Sequence, residues 1–271
     1  MHKQRVLTGL VLSLVLLSGL LWGGVIFFNC LLFAISFFCL YEYFSMAFQG
    51  DRIFQTAGVL LGLMPVATSL FAPQGLNLSF SIFLQCTGCI IIILLTYGQH
   101  NDPFQQMTRF LFGILYIGLC ASLIGLLYRL PNGNLWILFL FAVVAAADTG
   151  AYYTGKTIGK RKLCHAISKG KTVEGSIGGL AACMATALLS WLAFLRAVDP
   201  LTLVFMAVLL GITSQIGDLA ESVIKRACSI KDSGHILPGH GGVFDRVDGL
   251  LLAGPVLFWI LYLSHGSSCF H

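Results

Sequence analysis

Apolar residues run along the chain in stretches of about 20, the helix length needed to cross a bilayer core, with short polar segments between them. The pattern predicts nine membrane-spanning helices, near residues 6–22, 24–44, 56–72, 77–97, 110–128, 134–153, 175–195, 201–223 and 249–264. Trp22, Gly23 and Gly24 mark a tight turn between the first two, and Pro65 interrupts the third. The run from Val6 follows His2, Lys3 and Arg5, as a secretory signal would. No small-x-small cleavage site follows and further spans come at once, so this run is expected to stay as the first helix. With no internal repeat and no long linker, residues 1–271 read as one membrane domain. The expected fold class is all-α, a polytopic integral membrane helical bundle with a cytoplasmic N-terminus. Residues 1–130, whose only acids are Glu42, Asp51 and Asp102, read mainly as scaffold, and residues 131–271 as the part that carries chemistry.

Composition sharpens this picture. At 57% hydrophobic and 10% charged residues, with a mean hydropathy of +0.88, the chain lies outside the range of soluble globular domains. Cys30, Cys39, Cys86, Cys89, Cys120 and Cys183 all fall inside apolar runs, where cysteine packs as a small hydrophobe, so no disulfide framework is expected. Cys86 and Cys89 form a CxxC without the second pair or the histidines of a zinc site. If the N-terminus is cytoplasmic, 14 of the 16 lysines and arginines fall inside and only Arg129 and Arg196 outside, as the positive-inside rule requires. The charged loops at 154–174 and 225–248 then face the same cytoplasmic water. The basic excess suits the bilayer's anionic headgroups, and no nucleic-acid partner is expected.

Residues 211–250 break the apolar pattern. They read GITSQIGDLAESVIKRACSIKDSGHILPGHGGVFDRVDGL and hold Asp218, Glu221, Asp232, Asp245 and Asp248, five of the 11 acids. Ser214, Asp218, Glu221, Ser222 and Lys225 recur at intervals of three and four, which puts them on one helix face, with Ile216, Leu219, Val223 and Ile224 on the others. After Arg226 comes a loop with Lys231, Asp232, Gly234, Pro238, Gly239, Gly241 and Gly242, suited to close backbone approach. Asp245 and Asp248 share a face if the last helix begins near Phe244.

Two carboxylates about 5 Å apart repel by roughly 3 kcal/mol at an effective dielectric of 20, so gathering four requires protons, basic partners or a metal. An all-oxygen donor set without cysteine suits Mg²⁺, which completes its shell with water and phosphate. His235 and His240 would ligate zinc, but lack further ligands. Ion pairs with Lys225, Arg226 and Arg246 are the structural alternative. Asp148, deep in the sixth run, costs about 2.5–3.5 kcal/mol to insert and must face protein or a hydrated cavity.

The other charged loop reads GKTIGKRKLCHAISKGKTVEGSIGG. Its Gly170-Lys171-Thr172 does not make a P-loop, because His165 stands where the first glycine belongs and no strand is evident before it. What remains is a basic, glycine-bearing segment that opens a helix near Glu174 and Gly175, where free N–H groups and lysines favour a phosphate.

The stretch SVIKRACSIKDSGHILPGHGGVFDRVD resembles the signature of the phosphatidate cytidylyltransferases, the CDP-diacylglycerol synthases. DTGAYYTGKTIGK, KTVEGSIGG, the opening KQRVLTGLVL and the overall length are similar to that family too. One departure is Ser168-Lys169-Gly170-Lys171-Thr172, where the family usually has Ser-Pro-Lys-Lys-Thr. The resemblance implies transfer of the cytidylyl group of CTP to phosphatidic acid, giving CDP-diacylglycerol and pyrophosphate, at a site open to both cytoplasm and bilayer in the inner membrane. It implies Mg²⁺ on Asp218 and Asp245, supported by Asp248 and Glu221, with Asp148 shaping the polar cavity or holding a second cation. Asp218, Asp245, Asp248, Lys225 and Arg246 would then be catalytic. Lys171, Arg226 and Lys231 would bind the CTP triphosphate and the phosphatidate headgroup. Thr172, Glu174, Ser222, Asp232, His240, Gly241 and Gly242 complete the expected substrate contacts, and a homodimer is implied.

Rival readings separate on chemistry. Asp245 to Gly249 fits the D-x-x-D-G opening of CDP-alcohol phosphotransferases, but Leu252 and Ala253 stand where that pattern requires Ala-Arg. A CTP-dependent polyprenol or phytol kinase would move the γ-phosphoryl group of CTP instead of the α. An ion-coupled transporter would carry flux without nucleotide.

Overall fold

The computed structural model describes residues 18–19, 23–71, 75–98, 102–234, 236 and 241–265. Eight helices among them are long and apolar enough to cross a membrane: α1 (Gly24–Ala47), α2 (Arg52–Phe71), α3 (Gly75–Leu95), α4 (Pro103–Arg129), α5 (Gly133–Ile158), α6 (Val173–Ala193), α7 (Pro200–Ala227) and α8 (Phe244–His265). They correspond to the second through ninth runs of the sequence, and the chain is a multi-pass, all-α membrane protein. Of the first run, 6–22, only residues 18–19 are among those described.

The helix ends differ from the hydropathy boundaries where capping overrides apolar content. α4 starts at Pro103, seven residues before the predicted 110, because the Asp102 side chain accepts from Gln105 N at 3.0 Å and Pro103 occupies the first turn. In the same way Asp199 accepts from Thr202 N at 2.9 Å ahead of Pro200 and starts α7. α8 starts at Phe244 instead of 249, so Asp245 lies in its first turn.

The 154–174 loop departs from the sequence expectation. A strand does precede position 165: β1 (Lys162–Cys164) pairs antiparallel with β2 (Ser168–Thr172), Lys162 opposite Thr172 and Cys164 opposite Ser168. The P-loop reading still fails, since Gly170-Lys171-Thr172 is itself part of a strand rather than a turn wrapped around phosphate.

Packing divides the chain into two compact units. The first takes the described residues up to Leu126 together with those between Ile230 and Asp245. Its core is aromatic: Phe44, Phe54 and Phe110 are fully buried, with Phe44 and Phe110 ring centroids 5.2 Å apart and Phe48 stacked on Phe54 at 4.9 Å. Within α4, residues Ile114–Leu119 form a π-helical turn that brings Gly118 against the Gly62 carbonyl of α2, where a side chain would collide.

The second unit takes Leu127–Ser229 and the described residues of α8 from Arg246. Here α5 and α6 pack through small residues. A Cβ at Gly150 would stand 2.7 Å from the Ala182 methyl and 2.8 Å from the Gly178 carbonyl. Small residues of this kind let helices approach where lipid supplies no hydrophobic drive between them.

Candidate active site

The polar face expected on α7 is present. Ser214, Glu221 and Ser222 are buried, whereas the Asp218 side chain is 40% exposed. Gly217 decides what meets this face: a Cβ there would strike the Asp248 carbonyl of α8, and one at Gly249 would stand 2.5 Å from Ser214 Oγ. Two glycines in register thus bring the α7 and α8 backbones into contact beside Asp218 and Asp248. As a result Asp218, Glu221 and Asp248 each offer a carboxylate oxygen, all within 4.8 Å of one another. Gly217→Val is expected to force these helices apart, destabilising the protein by about 1–3 kcal/mol as overpacking does and lowering activity. Thermal unfolding and turnover on the same preparation check it.

Three carboxylates at this spacing repel strongly in a medium of reduced dielectric. Two lysines offset part of that repulsion. Lys171 Nζ lies 2.7 Å from Asp218 Oδ2, reaching across from β2, and Lys225 Nζ lies 2.8 Å from Glu221 Oε2 one helical turn along α7. One net negative charge remains before Asp148 is counted. The donor set fits a hard divalent cation: it is all oxygen, anionic and convergent.

Beside the cluster opens a cavity of about 440 Å³, lined among others by Asp148, Tyr152, Lys171, Gln215 and Asp218. Asp148 is exposed into it from α5, which meets the requirement that an acid at that depth face a hydrated space. Gln215 Nε2 donates to the Ser176 carbonyl at 3.1 Å, fixing α7 to α6 beside the opening.

The hairpin that carries Lys171 is held from both ends. Thr172, buried, caps α6 by accepting from Gly175 N at 3.1 Å. Glu174 accepts from the Lys160 and Arg161 amides at 3.0 and 3.1 Å, so in this structure its carboxylate ties down the approach to β1.

The 230–245 segment belongs to the first unit. Asp245 accepts from Ser233 N at 3.2 Å and Gly242 N at 2.9 Å, while the three-carboxylate cluster among the described residues comprises Asp218, Glu221 and Asp248. Gly241 has φ +81°, a conformation that favours glycine. Arg226, Lys231, Asp232 and Arg246 are exposed. His240 lies outside the described residues, as do His235, Pro238 and Gly239.

Glu42, Tyr152 and Gln215 are not among the site residues expected from the sequence. Glu42 had a readable signal: it is the one acid inside an apolar run of the first half, and intramembrane acids warrant a functional reading by default. Its buried carboxylate accepts from Ser233 Oγ and from Val243 N and Phe244 N.

Comparison with known proteins bears on what such a site serves. The pattern of the cytidylyltransferase family matches residues 3–264. Phosphatidate cytidylyltransferase of Bacillus subtilis is 32% identical over 272 residues, covering 96% of this chain and 98% of the relative. The enzyme of the same name from Brucella suis is 36% identical over 257 residues, with 94% and 92% covered. That of Staphylococcus saprophyticus is 34% identical over 265 residues, with 94% and 97% covered. With likeness of this extent running through the acidic face of α7, the Lys171 hairpin and the start of α8, the chain belongs to the cytidylyltransferase family.

Proposed function

We propose that this chain transfers the cytidylyl group of CTP to phosphatidic acid, releasing pyrophosphate and forming CDP-diacylglycerol. The observation that carries this reading is the Asp218, Glu221 and Asp248 cluster paired with Lys171 beside a polar cavity, in a membrane chain of this family. A phosphate oxygen of phosphatidate attacks the α-phosphorus of CTP. The bond from that phosphorus to the bridging oxygen of the β-phosphate breaks, and pyrophosphate leaves with the bonding pair. A phosphomonoester is largely ionised at neutral pH, so no strong general base is needed. The protein's work is to align two polyanions and offset their charge.

Lys171 supplies a buried cation at the cavity, where the triphosphate would replace Asp218 as its partner. Asp218, Glu221 and Asp248 would hold Mg²⁺, with Asp245 at the first turn of the same helix as Asp248. When bound, Mg²⁺ would offset the negative charge that builds on the triphosphate oxygens. Asp148 would keep the cavity hydrated or hold a second cation. Exposed Arg226, Lys231 and Arg246 suit the phosphatidate headgroup while its acyl chains stay in the bilayer. The charge distribution supports an active site facing the cytoplasm from the inner membrane, and a homodimer is the assembly the family resemblance favours.

Pyrophosphate release by purified, detergent-solubilised protein tests this reading. Release is expected to require CTP, phosphatidic acid and Mg²⁺ together, to stop with EDTA and to return when Mg²⁺ is restored. Release at an equal rate in EDTA would remove the metal from the proposal, and no release from folded protein would remove the reaction.

A further inference from the structure

Glu42 sits in α1, within the part of the sequence that reads as scaffold, and is only 2% exposed. An acid buried at such a position persists only where its charge is met by donors. Here three converge on it: Phe244 N donates to Oε2 at 2.9 Å, Val243 N to Oε1 at 3.0 Å and Ser233 Oγ to Oε2 at 3.1 Å.

These donors identify its role. Val243 and Phe244 supply the amides at the N-terminus of α8, where N–H groups have no intrahelical partner and the helix dipole is positive. A helix start is usually capped by Ser, Thr, Asp or Asn just before it. Val243 occupies that place and has no side-chain acceptor, so the cap comes from Glu42, about 200 residues earlier.

The neighbouring glycines fit the same purpose. A Cβ at Gly234 would stand 2.5 Å from Glu42 Oε1, and one at Gly242 would strike both Ser233 Oγ and the Glu42 carboxylate. Both positions must be bare for the carboxylate to reach the loop. Asp245 grips the segment from its other side through the Ser233 and Gly242 amides.

We propose that Glu42 is a positioning residue for cytidylyl transfer: it holds Ser233, Val243 and Phe244, the last at the start of α8, and thereby sets the placement of Asp245. This inference rests on the function proposed above. Glu42→Gln keeps the shape of the side chain but removes the charge and turns an NH₂ toward one of the three donors.

Hydrogen exchange of the intact protein in detergent, read together with steady-state kinetics, tests it. Glu42→Gln is expected to speed amide exchange in peptides covering 231–244, leaving those of α5 and α6 unchanged. The kcat is expected to fall about tenfold or more, the scale of a lost charge-assisted hydrogen bond, with the KM for CTP little changed. Ser233→Ala, which deletes one donor and leaves the charge, is expected to give a smaller effect of the same kind, and it carries the test if Glu42→Gln does not fold. Faster exchange with an unchanged kcat would overturn the positioning role, and unchanged exchange would overturn the anchoring itself. If the wild-type protein transfers no cytidylyl group while exchange in 231–244 still depends on Glu42, the anchor stands and the proposed reaction falls.

Discussion

Asp218→Asn is expected to lower the rate of CDP-diacylglycerol formation by about 10³-fold while the protein remains inserted and folded. Asn keeps the shape of Asp but has no charge, so the Asp218, Glu221 and Asp248 set loses the carboxylate that lines the cavity. Removing a single preorganised electrostatic contact to a reacting centre typically costs about 10²–10³-fold, and Asp218 serves two purposes by also pairing with Lys171 at 2.7 Å. Its side chain is 40% exposed, so the fold depends little on its charge. Turnover measured alongside the elution profile and melting of purified variant and wild type checks this. Activity within a few-fold of wild type would remove Asp218 from the reaction.

Lys171→Met is expected to reduce kcat/KM for CTP by about 10²–10³-fold, with Lys171→Arg recovering only part of the loss. Methionine retains the volume and apolar stem but not the charge. Arginine retains the charge, but a planar fork cannot replace a compact ammonium in the space beside Asp218. The position is tightly defined: Lys171 directly precedes Thr172, which is buried and bonded to Gly175 N, and β2 is paired with β1. Equal kcat/KM in Lys171→Met and wild type would show that the triphosphate binds elsewhere.

The apolar pattern located all eight spanning helices among the described residues; α5 runs five residues past its expected end, and the starts of α4 and α8 come seven and five residues early. In both, a polar first turn lowers the hydropathy while a cap sustains the helix. For α4 the cap was legible in Asp102-Pro103. For α8 it comes from Glu42, a contact between residues about 200 apart that no local pattern can disclose. The i, i+3 and i, i+4 spacing put Asp218, Glu221 and Lys225 on one face, and the structure bears that out through the Lys225–Glu221 pair. That Asp248 completes their cluster depends on Gly217 and Gly249 meeting where α7 crosses α8. Glycines at a helix crossing look in sequence like any other small residues. Asp245 and Asp248 have the same three-residue spacing, yet Asp245 binds the Ser233 and Gly242 amides. Periodicity assigns a face, but not the partner waiting there.

Parallel reactions with CTP labelled at the α- and at the γ-phosphorus, supplied with phosphatidic acid and Mg²⁺, decide most directly whether this site transfers a cytidylyl group. Label from the α-position is expected in the lipid fraction and label from the γ-position in pyrophosphate, both lost in Asp218→Asn. Label from the γ-position appearing in lipid would contradict cytidylyl transfer and make the protein a CTP-dependent kinase.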